Sequence, residues 1–249
     1  MQTGTLYLLP NLLGPAHPST PLADVIPEQV QRLTASLGSF VAENAKTTRA
    51  YLKLVHANIP LSHALQEIQI SELNVNTKES ELAALLTPLL EGRDVGLISE
   101  AGVPAVADPG ANLVRLAHAH HILVRPMVGP SSLLLAVMAS GLNGQSFAFN
   151  GYLPTDAGLR SKRIQELEQR SRKERQTQLL IETPYRNAAM LDALSTSCQA
   201  ATLICVATDL TLASESIQTK TAAQWAALLG KGKMPDFNKK PTVFLLLAH

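Results

Sequence analysis

Two short loops carry the residue types best suited to holding a small ligand. SEAGVPAVADPG (Ser99–Gly110) combines Gly102 and Gly110 with Pro104 and Pro109, and VGPSS (Val128–Ser132) repeats the plan on a smaller scale. Glycine removes the side chain that would keep a ligand off the backbone, and proline stiffens the turn. Each alone is also an ordinary strand-to-helix turn, but two at one sheet edge point to a cleft. A second candidate is HAHH, where His118 and His121 lie one helical turn apart. No CxxC or HExxH accompanies them, and a helix C-terminus favours imidazole through its dipole, so no metal is expected. A third is RSKRIQELEQRSRKER (Arg160–Arg175), with seven basic and three acidic residues. It reads either as a solvated helix laced by i,i+4 pairs or as a phosphate-contacting face for nucleic acid. Interleaved aromatics, which would stack on bases, are missing.

Other chemistries lack their motifs. There is no GxxxxGK[ST] phosphate loop, no GxGxxG after the first strand and no GxSxG elbow. A P-loop nucleotidase, a Rossmann dinucleotide enzyme and an α/β-hydrolase are therefore disfavoured.

The elements that must position these loops alternate along the chain. Strands are expected at Thr5–Pro10, Ser39–Asn44, Val95–Ser99 and Ile122–Val128. Helices are expected over Pro27–Leu37 and just after Asn44. Another should start in a capping box from Asn76 to Glu79 and end near Gly92, kinked or shortened by Pro88. Asp108 is placed to cap a helix opening at Pro109 and running to about His121. Ser131 or Ser132 should cap one that ends before Gly141. Asn11–Pro21 reads as an irregular loop. The βαβα order between Val95 and Ser140 predicts a parallel sheet, with ligands beyond the carboxyl ends of its strands. A boundary near residue 146 separates a first domain (1–145) from a second (146–249). The second should hold a charged helix, strands at Thr177–Glu182, Ala201–Thr208, Ser214–Thr219 and Pro241–Ala248, and a helix around Trp225.

Composition sets the frame. The chain has 249 residues, 46% hydrophobic and 16% charged, which fits globular domains and excludes a disordered or fibrous chain. The longest apolar runs are far short of the ~20 residues of a membrane helix, and no signal peptide is apparent. Two cysteines, Cys198 and Cys205, argue for a cytoplasmic protein without structural disulfides. Residues 1–125 carry 8 basic and 11 acidic residues, and residues 126–249 carry 13 and 9. That asymmetry is compatible with a basic surface on the second half but too small to establish one.

The run from Gly96 to Leu142, followed by FAFNGYLP, resembles the tetrapyrrole methylase superfamily. It is most similar to the branch containing ribosomal RNA small subunit methyltransferase I. That branch carries a pattern like SDAGTPLISDPG, then PGP, a small-residue helix ending in SGLP, and GFLP. Here SEAGVPAVADPG, VGPSS, ASGL and GYLP stand in the same order. LYLLPNLLG, VAENAKTTR, LLIETPYR and CVATDLT followed by SESI resemble further segments, so the likeness covers most of the chain.

The resemblance implies an α/β tetrapyrrole methylase-like fold. Its N-terminal sheet is mostly parallel, its C-terminal sheet is mixed, and a cleft lies between the two domains. It also implies a homodimer and S-adenosylmethionine as methyl donor. Donor contacts carried over by position are Pro10; Glu100, Ala101, Gly102 and Val103; Ser131 and Ser132; Ile181, Ala207 and Thr208; and Pro241 and Thr242. Glu43, Asn44 and Arg49 occupy the segment from which catalytic groups are expected. Three departures stand out. Glu100 replaces the aspartate of SDAG, and Asn44 replaces an acid with an amide that cannot act as a base. KMPDFNKKPTVFLLLAH also departs from the branch's C-terminal segment. RNA, through a ribose 2′-hydroxyl, is the leading acceptor. A small molecule, tetrapyrrole-like or otherwise, and a donor- or RNA-binding protein without turnover are the alternatives.

Overall fold

The computed structural model describes residues 3–16 and 21–249. The central part of the loop expected over Asn11–Pro21 lies outside the described residues. Contacts divide the chain into two units, Met1–Ser131 and Ser132–His249. The sequence reading puts this division after residue 145; the packing puts it ahead of the helix Ser132–Ser140.

The first unit contains β1 (Thr5–Leu9), α1 (Glu28–Ser36), β2 (Ser39–Ala42), α2 (Ala45–Asn58), β3 (Gln69–Glu72), α3 (Glu79–Leu85), α4 (Thr87–Leu90), β4 (Val95–Ile98), α5 (Gly110–Ala119) and β5 (Leu123–Pro126). Its sheet is parallel throughout, in the order β3-β2-β4-β1-β5. Strand alternation sends side chains to two faces. Leu9, Phe40, Ala42 and Ile98 pack with Val30, Leu52 and Val55 of α1 and α2. Leu6, Val41, Val95 and Leu97 pack with Leu82, Leu89 and Leu113 of α3, α4 and α5. The chain leaves β1 toward β2 on one side but leaves β4 toward β5 on the other. The carboxyl ends of β1 and β4, adjacent through the pair Leu9 and Ile98, are thus the topological switch point.

Three local expectations change. The helix after Asn76 starts at Glu79 with Lys78 at its N-cap, whose N–H donates to Glu81 Oε2 at 3.3 Å. As expected of Pro88, that helical stretch breaks, into α3 and α4. Asp108 does not cap α5, whose N-cap is Pro109 without a side-chain bond. β3 was not foreseen. QISE is short and polar, and it pairs only with β2 at the sheet edge.

The second unit contains α6 (Ser132–Ser140), β6 (Phe147–Tyr152), α7 (Ala157–Glu174), β7 (Thr177–Glu182), α8 (Asn187–Ser197), β8 (Leu203–Thr208), β9 (Ser216–Thr221), α9 (Ala222–Leu229) and β10 (Thr242–Leu247). Its sheet runs β6-β7-β10-β8-β9; only β6 and β7 pair in parallel. The expected mixed sheet is what forms. One face is covered by α7, α8 and α9, around Phe244, Leu180, Val206 and Trp225. α6 lies against β8, β9 and β10, and its Ser140 carbonyl accepts the Thr219 hydroxyl at 2.7 Å.

α7 is charged, yet it is not solvated all round. Ile164, Leu167, Glu168 and Ser171 form a buried stripe at helical spacing. Full burial of Ile164 and Leu167 contributes about 1.5–3 kcal/mol each. Glu168 accepts from the Gln199 N–H at 2.7 Å and from the Thr202 hydroxyl, tying α7 to the turn before β8. Burial, with Glu168 nearby, pushes the Cys198 thiol up to about 12, which disfavours the nucleophilic thiolate. Glu168→Ala strands a buried N–H and hydroxyl. It should cost about 2–4 kcal/mol in urea unfolding, from roughly 1–3 kcal/mol per unsatisfied group; a loss under about 1 kcal/mol would show that water replaces the carboxylate there.

Candidate active site

The switch point is built by cross-stitching. Asn11, directly after Pro10, is buried, and its Nδ2 donates to the carbonyls of Ser99 at 3.0 Å and Glu100 at 3.1 Å. Its Oδ1 accepts the Leu12 N–H at 2.8 Å. The Asn11 N–H donates to the Gly102 carbonyl at 2.8 Å, and the Gly102 N–H returns to the Leu12 carbonyl at 3.3 Å. From the end of β2, Glu43 Oε2 accepts the Glu100 N–H at 3.1 Å. The loop after β4 is held from both sides.

Gly102 adopts φ +66°, a left-handed conformation that costs glycine nothing. The loop after β5 closes in as well. A Cβ on Gly129 would fall 2.1 Å from Pro10 Cβ, so only glycine permits this approach. The structure therefore brings Pro10, Glu43, Glu100–Gly102 and the VGPSS loop that ends at Ser131 to one sheet edge. Val103, half-buried, continues the same loop. Asp108, at the far end of the loop, hydrogen-bonds Ser99. Burial raises its carboxyl above the usual range, Ser99 opposes this, and the charges of Glu43 and Glu100 add to it.

The remaining catalytic candidates separate. Asn44 is the N-cap of α2: its side chain accepts from Lys46 N at 2.9 Å and Thr47 N at 3.2 Å. Glu72 accepts the Ala45 N–H at 2.9 Å, completing the first turn. Asn44 thus does the work of a cap, for which amide and carboxylate are nearly equal. Arg49 is exposed one turn further along α2.

In the second unit the positions carried over by resemblance meet across three strands. Val243 lies between Ile181 and Ala207, and Thr242 lies between Glu182 and Thr208. Alternation divides them between faces. Ile181, Val243 and Ala207 form an apolar row on one side. On the other, Thr208 and Thr242 are buried with their hydroxyls 3.2 Å apart, and Asn187 Nδ2 donates to Thr242 Oγ1 at 3.1 Å. Asn187 also donates to the carbonyls of Phe237 at 3.0 Å and Lys240 at 2.9 Å, which fixes the entry to β10. Pro241 is exposed at that entry. Ser132 opens α6. Thr208 also lines a cavity of about 250 Å³ with Ser214, Trp225 and Lys240.

Part of the basic helix is engaged in internal contacts. Arg163 pairs with Glu166 at 3.1 Å and Arg170 with Glu174 at 3.3 Å. Arg172 reaches Gln199 and the His249 carbonyl, both at 3.0 Å, and Arg160 reaches the Thr155 carbonyl at 3.0 Å. Lys162, Lys173 and Arg175 remain as exposed cations. His118, His120 and His121 are exposed at the C-terminal end of α5. Among the described residues no group of three or more His, Cys, Asp or Glu could hold a metal.

Asn11 and Glu43 illustrate two kinds of reach. Sequence reasoning passed over Asn11, because a polar residue in a Pro/Gly-flanked loop looks solvated. Glu43 was singled out, but as a catalytic group rather than as the anchor of a backbone amide.

No protein-family model matches the chain. Solved structures share its fold. The methyltransferase CobJ covers 99% of this chain and 95% of its own at a TM-score of 0.61 and 16% identity. The cobalamin biosynthetic enzyme cobalt precorrin-4 methyltransferase, CbiF, covers 98% and 94% at 0.57 and 15%. The chain thus has the fold of the tetrapyrrole methyltransferases, as the motif order implied. Two sequence relatives, both named ribosomal RNA small subunit methyltransferase I, extend the match. That of Xylella fastidiosa is 30% identical over 99% of this chain and 81% of its own length. That of Vibrio cholerae is 28% identical over 98% and 76%. The chain belongs to the ribosomal RNA small subunit methyltransferase I family, and it is a methyltransferase.

Asn44→Ala should lose about 0.5–2 kcal/mol of stability in urea unfolding, while Asn44→Asp stays within about 0.5 kcal/mol of the parent. A gain of methyl transfer in Asn44→Asp would return this position to the chemistry.

Proposed function

We propose that this methyltransferase moves the methyl group of S-adenosylmethionine to a ribose 2′-hydroxyl of ribosomal RNA, working as a homodimer in the cytoplasm. Family membership supports the reaction, and the stitched loop at Glu100–Val103 is the observation that carries the donor. That loop is side-chain-poor and lies at the switch point where α/β sheets hold ligands. It has no phosphate cradle, which suits a donor without phosphate.

S-adenosylmethionine supplies an electrophilic methyl group on a sulfonium, so the chain's task is mostly positioning. Pro10 and Gly129 pack one wall of the loop edge. The exposed carboxylate of Glu100 favours a cationic ligand beside it. Homodimer formation follows from the resemblance alone. The buried, unpaired Cys198 and Cys205 fit a reducing compartment. Among the described residues no helix is long and apolar enough to cross a membrane.

One observation favours a second reading, methylation of a small molecule. Two of the basic helix's arginines are held in internal ion pairs, and the structural neighbours CobJ and CbiF share its fold.

Calorimetric titration should show micromolar binding of S-adenosylmethionine and S-adenosylhomocysteine and none of ATP. Gly102→Val should abolish that heat. The new side chain must sit at φ +66° with its Cβ 3.1 Å from Leu13 Cδ2. Undiminished binding in the variant would remove the loop from the donor site.

Tritium transfer from labelled donor to ribosomal RNA should fall at least tenfold when Lys162, Lys173 and Arg175 are all changed to Gln, and the defect should shrink as salt is raised. Label appearing in a small-molecule fraction and never in RNA would select the second reading.

A further inference from the structure

We infer that Asn11 is the positioning residue that sets donor affinity, by holding the peptide units of Ser99–Gly102 in the orientation the donor meets. The inference rests on the donor reading above. Asn11 touches the loop at three points: two carbonyls through Nδ2, and the Gly102 carbonyl through its own N–H. Its amide orientation is unambiguous. Nδ2 faces two backbone carbonyls, and Oδ1 faces the Leu12 N–H. Asn11 is 7% exposed, so these bonds are largely shielded from bulk water. Glu43 braces the same stretch from the opposite side through the Glu100 N–H. With both in place, the Ser99 and Glu100 peptide planes cannot rotate independently.

This arrangement predicts an inverted ranking of substitutions. Asn11→Asp keeps volume and the Oδ1 acceptor, but it turns a carboxylate oxygen toward two carbonyls. Asn11→Ala only removes the bonds. If Asn11 merely filled space, the isosteric aspartate would be the milder change. If it orients the loop, aspartate is the more damaging one. Protonation restores a single O–H donor to the aspartate and relieves part of the repulsion. The charged groups on the loop it bonds, or bonded to that loop, are Glu43 from the segment after β2, and Glu100 and Asp108 from the loop after β4. All three are acidic and favour protonation. Burial acts in the same direction. The sign is therefore fixed: donor binding by Asn11→Asp should recover as pH falls.

The test is calorimetric titration of the full chain with S-adenosylhomocysteine. Relative to the parent, Asn11→Ala should weaken the dissociation constant at least tenfold at pH 8, and Asn11→Asp by more. The Asn11→Asp deficit should shrink several-fold between pH 8 and pH 5.5, while the Asn11→Ala deficit stays constant. Equal affinity in parent and Asn11→Asp, or Asn11→Ala weaker than Asn11→Asp at every pH, overturns the inference and leaves the donor reading standing. No heat with the parent overturns the donor reading and this inference together. Should the variants fail to fold, hydrogen exchange of the parent decides. Slow exchange of the Leu12, Glu100 and Gly102 amides without donor is expected, and exchange at open-loop rates overturns the lock.

Discussion

A single set of hydrogen bonds holds the first unit's candidate site in place: those passing between the loop after β1 and the loop after β4. Parallel strands present their carboxyl ends side by side, but their connections diverge at the switch point. Nothing in the sheet ladder reaches past Leu9 and Ile98. Beyond those residues the chain would be free to splay. Asn11 closes the gap by substituting side-chain bonds for the missing ladder, and Gly102 completes it by pairing backbone with backbone. Each bond contributes only about 0.5–1.5 kcal/mol net, yet leaving any of these buried groups unpaired costs more. The set is therefore cooperative: losing one member exposes the rest.

That restraint also explains how strained backbone survives nearby. Ala105 and Ala107 both adopt φ +64°, a left-handed conformation that costs residues with a Cβ on the order of 1–3 kcal/mol each. Strain of this kind persists where the surroundings over-determine the path. Here one end of the loop is anchored by Asn11 and Glu43. The other is anchored by the Ser99–Asp108 bond and by the start of α5. The loop spends stability on a defined shape, as functional loops on rigid scaffolds commonly do.

The second unit solves a different problem with the same economy. α7 carries charge on its outer face and a buried Ile164–Ser171 stripe within. Most of its arginines serve the fold, through Glu166, Glu174, Gln199 and the His249 carbonyl. Charge density in the sequence therefore overstates what is available to a phosphate backbone. At the end of its sheet, Thr208 and Thr242 turn inward to Asn187, leaving the apolar row of Ile181, Val243 and Ala207 on the opposite face. Two neighbouring positions on one strand thus meet different surroundings, because a strand alternates its faces.

Local patterning made much of this legible in advance. The buried strands VGLI, TQLLIE and TVFLLL, the break at Pro88 and the motif order from SEAG to GYLP all follow from short-range residue choice. They led to the fold and to the family. The edge strand QISE was missed because a strand paired on one side needs little apolar content. Asp108 and Asn76 read as caps because capping chemistry is common to many short polar residues; packing gives Asp108 to Ser99 instead. What no window of sequence contained is the convergence itself. Asn11 meets Glu100 across 89 positions, and Glu43 meets it across 57. Those distances are closed by β-α-β crossovers, whose geometry depends on the whole sheet. Residue identity thus settled which groups were present and what chemistry they could support. Only the tertiary structure decided which of them touch, because hydrogen bonds between loops depend on the order of the strands in the whole sheet.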